Sequence, residues 1–332
     1  PVQEETLMRA FVSRPAISGT GKIVWLAILA AAAAFLFIAG GLDADNIGYF
    51  LPKRLAKILA IAVSAWCIGY TAVTFQTITC NRILTPSVMG LDTLYLFIQT
   101  VVICFFGSGK LEMMSGYGNF LLSVAIMTGA SGLLFLLLFG KMRRSVYFLL
   151  LAGLVAGALF QSLATFMQVM MDPNEFLFLQ GKMFASFNNI NTGLLGLCTV
   201  ICLVVIVLTW RDCRQYDVLA LGPEQAISLG ISYRAAILKS LIVTAVLVSV
   251  STALTGPVTF LGILVANLAR QLTGSFRHSR IIACSVLLGC LFLTTGQWLT
   301  ERVFQFSTTV SVIINFIGGL YFIFLILKDG KT

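Results

Sequence analysis

Residues that could perform catalytic or metal chemistry are sparse in this chain of 332 residues. Its one histidine, His278, lies in a predicted basic loop and is interpreted as a structural or solvated residue rather than a metal ligand. Eight cysteines occur without a CxxC spacing, and most lie inside apolar segments, which is typical of buried cysteines rather than of a disulfide or zinc framework. The motifs GxxxxGK followed by Ser or Thr, HExxH and GxSxG are absent. We therefore expect no catalytic site, no ATP hydrolysis and no bound metal or cofactor in this chain itself.

Polar side chains within otherwise apolar segments are more informative. Such groups are costly in lipid, so they usually face the interior of a helix bundle or a cavity. They predict either a translocation path or hydrogen bonds between helices, and the sequence leaves both open. The candidates are Gln76, Gln161, Ser162, Thr165 and Gln168. Asp92 is interpreted as a residue at the membrane interface.

The segment 217–232, DVLALGPEQAISLGIS, contains residues that are typical of a turn between two helices. Gly222 breaks the chain, Pro223 and Glu224 are typical of the first turn of a helix, and Gly230 is typical of its C-terminal cap. The pattern predicts two short helices over about residues 215–231. We expect an exposed apolar surface formed by Leu219, Leu221, Ala226, Ile227 and Leu229. Such a surface either docks a partner protein or lies on lipid.

The composition indicates the elements that must position these residues. The chain is 58% hydrophobic and 11% charged, with a mean hydropathy of +0.97, whereas soluble domains carry about 25% charged residues. Because a bilayer core requires about 20 apolar residues per helix, we predict an all-α polytopic membrane protein with about ten transmembrane helices in a single domain, residues 1–332. The predicted spans are 23–41, 55–77, 91–107, 119–140, 146–171, 193–210, 235–254, 258–270, 281–299 and 309–327.

The distribution of positive charge predicts the orientation. With both termini in the cytoplasm, sixteen of the 22 Lys and Arg residues fall on the inside. The short segment 258–270 is included as a crossing because omitting it worsens this balance. It follows Gly256-Pro257, a predicted break in the backbone at membrane depth. The net charge of +9 is thus attributed to cytoplasmic loops, and we expect no nucleic-acid partner.

Three segments resemble the iron-siderophore and cobalamin family of ABC transporter permeases. Residues 219–230 resemble its coupling-helix signature LALGEEAAxxLG, residues 81–90 resemble RNPLAEPxLLG, and residues 256–270 resemble GPIGFVGLVVPHIAR. Departures such as Arg82 and Pro223 indicate a divergent branch, similar to permeases for catecholate-type siderophores.

This resemblance implies a type II ABC importer permease-like bundle in the bacterial inner membrane. The family's coupling loop docks into a separate ATPase subunit that binds Mg-ATP, and the corresponding residues here are Leu219, Leu221, Gly222, Glu224, Ala226, Leu229 and Gly230. Cations on the outer face would dock a periplasmic substrate-binding protein, and the candidates are Lys53, Arg54 and Arg302. A second permease subunit, identical or a paralogue, would complete the pathway within the lipid.

The implied cargo is a ferric siderophore, with cobalamin or haem as the alternative within the family. A secondary transporter or channel that works without ATP is the alternative class, and a co-purifying ATPase and binding protein distinguish the two. A membrane-embedded enzyme would need catalytic polar residues clustered at one depth, and the sequence shows no such cluster. The identity of the siderophore is not predicted.

Overall fold

The computed structural model describes residues 19–40, 47–113, 116–140, 146–188 and 190–329, and within these ranges it is helical without strands. The predicted cytoplasmic placement of the two termini lies outside the described residues. The helices are α1 Gly19–Ala39, α2 Ile47–Ile78, α3 Leu91–Met113, α4 Gly116–Gly140, α5 Val146–Val169, α6 Pro173–Met183, α7 Thr192–Thr209, α8 Asp212–Leu219, α9 Pro223–Ser228, α10 Tyr233–Thr255, α11 Leu261–Thr273, α12 His278–Arg302 and α13 Val310–Asp329.

The predicted all-α class is confirmed, and each of the ten predicted spans overlaps one of these helices. Six helices in the described part of the chain are long and apolar enough to cross a membrane. They are α1, α2, α5, α7, α10 and α12. Shorter apolar stretches lie in α3 and α13.

Helix α2 forms the centre of the bundle. It is 32 residues long, and most of its residues from Ala60 to Ile78 are buried. Helices α10 and α12 pack along it. Over this stretch α2 is buried around most of its circumference and lies within protein, so it positions the groups that meet at its C-terminal end.

Glycines allow neighbouring segments to approach closely. A Cβ atom at Gly69 of α2 would lie 3.0 Å from the backbone nitrogen of Val286 in α12. A Cβ atom at Gly157 of α5 would lie 2.9 Å from the Cα atom of Gly90. Gly90 itself has φ of 81°, a conformation that favours glycine. In lipid, where helices associate through close packing rather than by excluding water, such contacts hold the bundle together.

The predicted backbone break at Gly256 and Pro257 is confirmed. Gly256 has φ of 95°, α10 ends at Thr255, and α11 begins at Leu261. Helix α11 has 13 residues and is therefore about 20 Å long, shorter than the hydrocarbon core of a bilayer. The break is packed in protein, because a Cβ atom at Gly256 would lie 2.9 Å from the Cα atom of Ala185. Irregular backbone at membrane depth is tolerated only in such surroundings or along a cavity.

The close approach at Gly157 predicts a stability difference between two glycine substitutions. We expect G157A to lower the free energy of unfolding by about 1–3 kcal/mol, because the added methyl group overlaps backbone that cannot move aside. The matched control is G129A in α4, where an added Cβ meets nothing within 4 Å. This control should be neutral or slightly stabilising, since alanine favours helix over glycine by up to about 1 kcal/mol. Thermal unfolding in detergent measures both, and equal Tm values would contradict the packing described.

Candidate functional site

The segment predicted to form paired short helices does so. Helices α8 and α9 are separated by Gly222, whose φ of 100° and ψ of 168° make the sharp turn, and Pro223 begins α9. The end of α9 is closed by two backbone hydrogen bonds, from Gly230 to Ile227 at 2.9 Å and from Ile231 to Ala226 at 3.0 Å. With φ of 83° at Gly230, this is the glycine cap expected from the sequence.

The apolar residues of this helix pair divide into two faces. Leu221, Ile227 and Leu229 are 58%, 60% and 63% exposed, and Glu224 and Gly230 are exposed as well. Leu219 and Ala226 are 1% and 0% exposed, so the prediction that they contribute to an exposed surface is wrong. Leu219 and Ala226 form the face that packs against the bundle, and the exposed residues form the opposite face. Gly222 is half-buried at the turn.

Helix α8 is fixed to the bundle by buried polar contacts. The hydroxyl groups of Tyr216 and Tyr70 lie 3.1 Å apart, and Ser240 donates to the Tyr216 oxygen at 3.1 Å. Burial raises the pKa of the Tyr216 phenol above its ordinary value, because the charged form is disfavoured away from water. Lys239 forms an ion pair with Asp212 at 2.7 Å. These contacts join α8 to α2 and α10.

A second chain of contacts begins at Asp217 of α8. Its Oδ1 atom accepts from the backbone nitrogen of His278 at 2.6 Å and lies 2.8 Å from the Nδ1 atom of the same residue. The Nε2 atom of His278 lies 2.8 Å from the Thr77 hydroxyl, to which Arg270 donates at 3.2 Å. The ends of α2, α11 and α12 are therefore joined to α8. His278 is 1% exposed and begins α12, so its placement in a loop is wrong, whereas its structural role is confirmed.

The predicted path residues occupy two places. Gln161, Ser162 and Thr165 lie on an exposed part of α5, and Gln168 on the same helix donates to the Thr100 hydroxyl at 3.2 Å. Gln76 is buried at the end of α2 and donates to the Arg82 carbonyl at 2.6 Å. Gln76 lines a cavity of about 750 Å³ together with Leu221, which lies in the turn between α8 and α9. The structure thus does not unite the five residues in one site within a single subunit.

The three candidate docking cations lie at the opposite end of the bundle. Lys53 is exposed, with its ammonium group 3.9 Å from the centroid of the Tyr49 ring. Arg54 donates to the carbonyls of Ile38 and Gly40, both at 2.7 Å, and so satisfies the C-terminal end of α1. Arg302 is exposed and also donates to the Gly40 carbonyl. Arg54 therefore has a structural task, whereas the exposed Lys53 donates only to the Tyr49 hydroxyl of its own helix among the contacts described.

The buried contacts of two carboxylates, Asp92 and Glu301, were not predicted from the sequence. The interfacial interpretation of Asp92 is wrong, because its side chain is 8% exposed and accepts from the Thr259 hydroxyl at 3.2 Å in the bundle interior. The Lys57–Glu301 ion pair, 2.6 Å long, joins α2 to α12 across 244 positions of sequence. Only the rarity of carboxylates in so apolar a chain could have drawn attention to these groups.

Similarity to known proteins was assessed for structure and for sequence. A metal-chelate type ABC transporter in an inward-facing conformation superposes with a TM-score of 0.81 at 21% identity, covering 94% of this chain and 100% of that one. This likeness concerns the fold alone. The petrobactin import system permease protein YclO of Bacillus subtilis is 51% identical over 290 residues, which is 87% of this chain and 92% of that protein.

A second relative, the petrobactin import system permease protein FatC of Bacillus anthracis, is 34% identical over 287 residues, 86% of this chain and 81% of that protein. Residues 16–328 match the model of the FecCD transport family. This match includes the turn at Gly222, the backbone break at Gly256, the candidate path residues and the candidate docking cations. The family predicted from three short motifs is thereby confirmed, and the chain belongs to the FecCD transport family.

Proposed function

We propose that this chain is the membrane-spanning permease subunit of an ABC importer that carries a ferric siderophore into the cytoplasm. The observation that carries the proposal is the α8–α9 pair, which presents three exposed apolar side chains while it is bound to the bundle through buried polar contacts. The relatives YclO and FatC are named as petrobactin import permeases, which supports a siderophore of that kind as cargo.

The coupling step follows from this arrangement. The exposed residues Leu221, Ile227 and Leu229 would fit an apolar cleft on an ATPase subunit, which binds ATP and Mg²⁺ in place of this chain. Movement of that subunit would displace α8, and the Asp217–His278 contact would pass the displacement to α12 and to the end of α2. The bundle would then change the side to which its path is open.

The path itself requires a second permease subunit. Gln161, Ser162 and Thr165 are exposed on a membrane helix, where polar side chains are costly against lipid. A second subunit, identical or a paralogue, would cover this face and enclose a polar path for the chelate. The proposed orientation places α8 and α9 in the cytoplasm and Lys53 on the outer face of the bacterial inner membrane, toward a substrate-binding protein.

The docking of α9 predicts a loss of partner binding in L229D. Burial of the leucine side chain at the interface is expected to contribute about 2 kcal/mol to binding, and an aspartate would replace it with a charge. The amount of ATPase recovered with tagged permease should therefore fall at least tenfold. Co-purification from detergent-solubilised membranes measures this, normalised to the permease in the membrane fraction.

The matched control is S232D, which adds the same charge in the same loop. Ser232 is the N-cap of α10, a position that aspartate suits, so this variant should recover the ATPase as the parent does. Undiminished recovery with L229D would show that α9 does not dock the ATPase.

Docking at the other end of the bundle predicts a charge effect on rate. We expect K53E to slow association of the substrate-binding protein about tenfold at low salt, because exposed cations steer an acidic partner. The difference should shrink as salt rises, since the Debye length falls from about 10 Å at 0.1 M to about 3 Å at 1 M. Surface plasmon resonance on permease in nanodiscs measures both rates.

The comparison variant is R54A, which removes the cap of α1 rather than an exposed cation. It should lower the Tm of the permease and leave the association rate near that of the parent. If K53E associates at the parent rate at every salt concentration, Lys53 is not part of the docking surface.

A further inference from the structure

A small cavity lies between the helices of the bundle, away from the turn between α8 and α9. Its volume is about 20 Å³, which is room for about one water-sized particle. It lies where α2, the turn before α3, α10 and the backbone break at Gly256 meet. One carboxylate and six hydroxyl groups belong to residues of its wall, namely Asp92 together with Thr71, Thr85, Ser87, Ser251, Thr252 and Thr259.

The cavity lies part-way along the membrane-spanning helices rather than at their ends. Thr71 lies seven residues before the end of α2, about 10 Å along the helix axis. The backbone break at Gly256 comes just before the 13-residue helix α11. The C-terminal end of α11 therefore lies about 20 Å from the break, on the side of the bundle where α2 ends. Solvation by bulk water is therefore remote, and charge must be compensated locally.

Asp92 lacks such compensation from the protein. Its side chain is 8% exposed, and its hydrogen-bond partners are the hydroxyl groups of Ser87 and of Thr259, the latter at 3.2 Å. Within the part of the chain that the structure describes, no lysine, arginine or histidine lies within ion-pair distance of it. A carboxylate buried in a membrane bundle persists only when a proton or another cation neutralises it.

The other groups around the cavity favour a metal cation over a proton. Thr85 is 1% exposed, and its hydroxyl oxygen has no hydrogen-bond partner among the described residues, which costs free energy unless a ligand uses it. Carboxylate and hydroxyl oxygens are the donors that hard cations prefer. A broken membrane helix beside such donors is also where transporters bind sodium ions.

Charge and size narrow the identity of the cation. One carboxylate balances one positive charge, so a divalent ion would leave a buried excess charge, which is costly. Mg²⁺ retains several waters that a cavity of about 20 Å³ cannot hold. We propose that Asp92 and the hydroxyl groups around it, including those of Thr85 and Thr259, bind a sodium ion that ties α3 to the backbone break between α10 and α11. This site goes beyond the proposed import function and does not rest on it.

The test is sodium-dependent stability of the purified full-length chain. Tm would be measured in NaCl and in choline chloride at equal ionic strength and pH. We expect Tm to rise only in NaCl, by about 2 °C for each tenfold increase in sodium above the dissociation constant. The rise should be abolished in D92N, which keeps the shape of the side chain and removes its charge.

A second pair of variants keeps the test decisive if D92N fails to fold. T85V removes one oxygen donor and should weaken binding of radioactive sodium about tenfold. The control is T244V, because Thr244 is a buried threonine, also without a hydrogen-bond partner among the described residues, that does not line the cavity. T244V should bind sodium as the parent does.

Two results would overturn the proposal. The first is a parent chain whose Tm is the same in sodium and choline but varies with pH, which would mean that a proton neutralises Asp92. The second is sodium binding that T85V and T244V weaken equally, which would place the bound ion outside this cavity.

Discussion

The contact between Asp217 and His278 is the interaction on which the position of α8 against the bundle depends. One carboxylate oxygen of Asp217 accepts from the backbone nitrogen of His278 and faces its ring at 2.8 Å. The other ring nitrogen lies 2.8 Å from Thr77. Because both nitrogens of a nearly fully buried imidazole are engaged, α8 cannot shift without displacing the ends of α2 and α12 or leaving buried polar groups unpaired, which is costly.

The bilayer imposes the second constraint, which is that backbone polar groups must be satisfied within the protein. The chain departs from helix at Gly222, at Gly256 and before α3 at Gly90, each time with a glycine of positive φ. Gly222 lies at the end of the bundle, where polar surroundings are available. Gly90 and Gly256 lie inside it, pressed against the backbone of Gly157 and Ala185. Polar groups lie beside the interior break at Gly256, where the Thr259 hydroxyl donates to Asp92.

Local chemistry made much of this architecture predictable. Glycine favours positive φ, and this preference predicts the turn at Gly222 and the cap at Gly230. Proline lacks a backbone N–H group, and this predicts the start of α9 at Pro223. The long helices follow from apolar length. The resemblance of three motifs to one permease family then fixed the arrangement of the bundle more closely than composition could.

The burial of individual side chains could not be predicted, because it depends on which side of a helix faces the rest of the protein. The burial of Leu219 and Ala226 follows from how α8 and α9 lie on the bundle, and helices of eight and six residues are too short to reveal a face by periodicity. Asp92 was misplaced because the segment before α3 returns into the interior rather than ending at the surface. Arg54 and Arg302 meet at the Gly40 carbonyl although they lie 248 positions apart, and no pattern along the chain indicates such a meeting.

The central claim is that the exposed face of α8 and α9 is where nucleotide-driven motion enters the bundle. Its most direct test is crosslinking from a single cysteine at position 221 or 229, in a chain whose eight native cysteines are replaced, in membranes that contain the whole transporter. The account predicts a covalent product with the nucleotide-binding subunit whose yield changes when ATP is added. A product with lipid alone, or labelling of these cysteines from the outer side of the membrane, would contradict it.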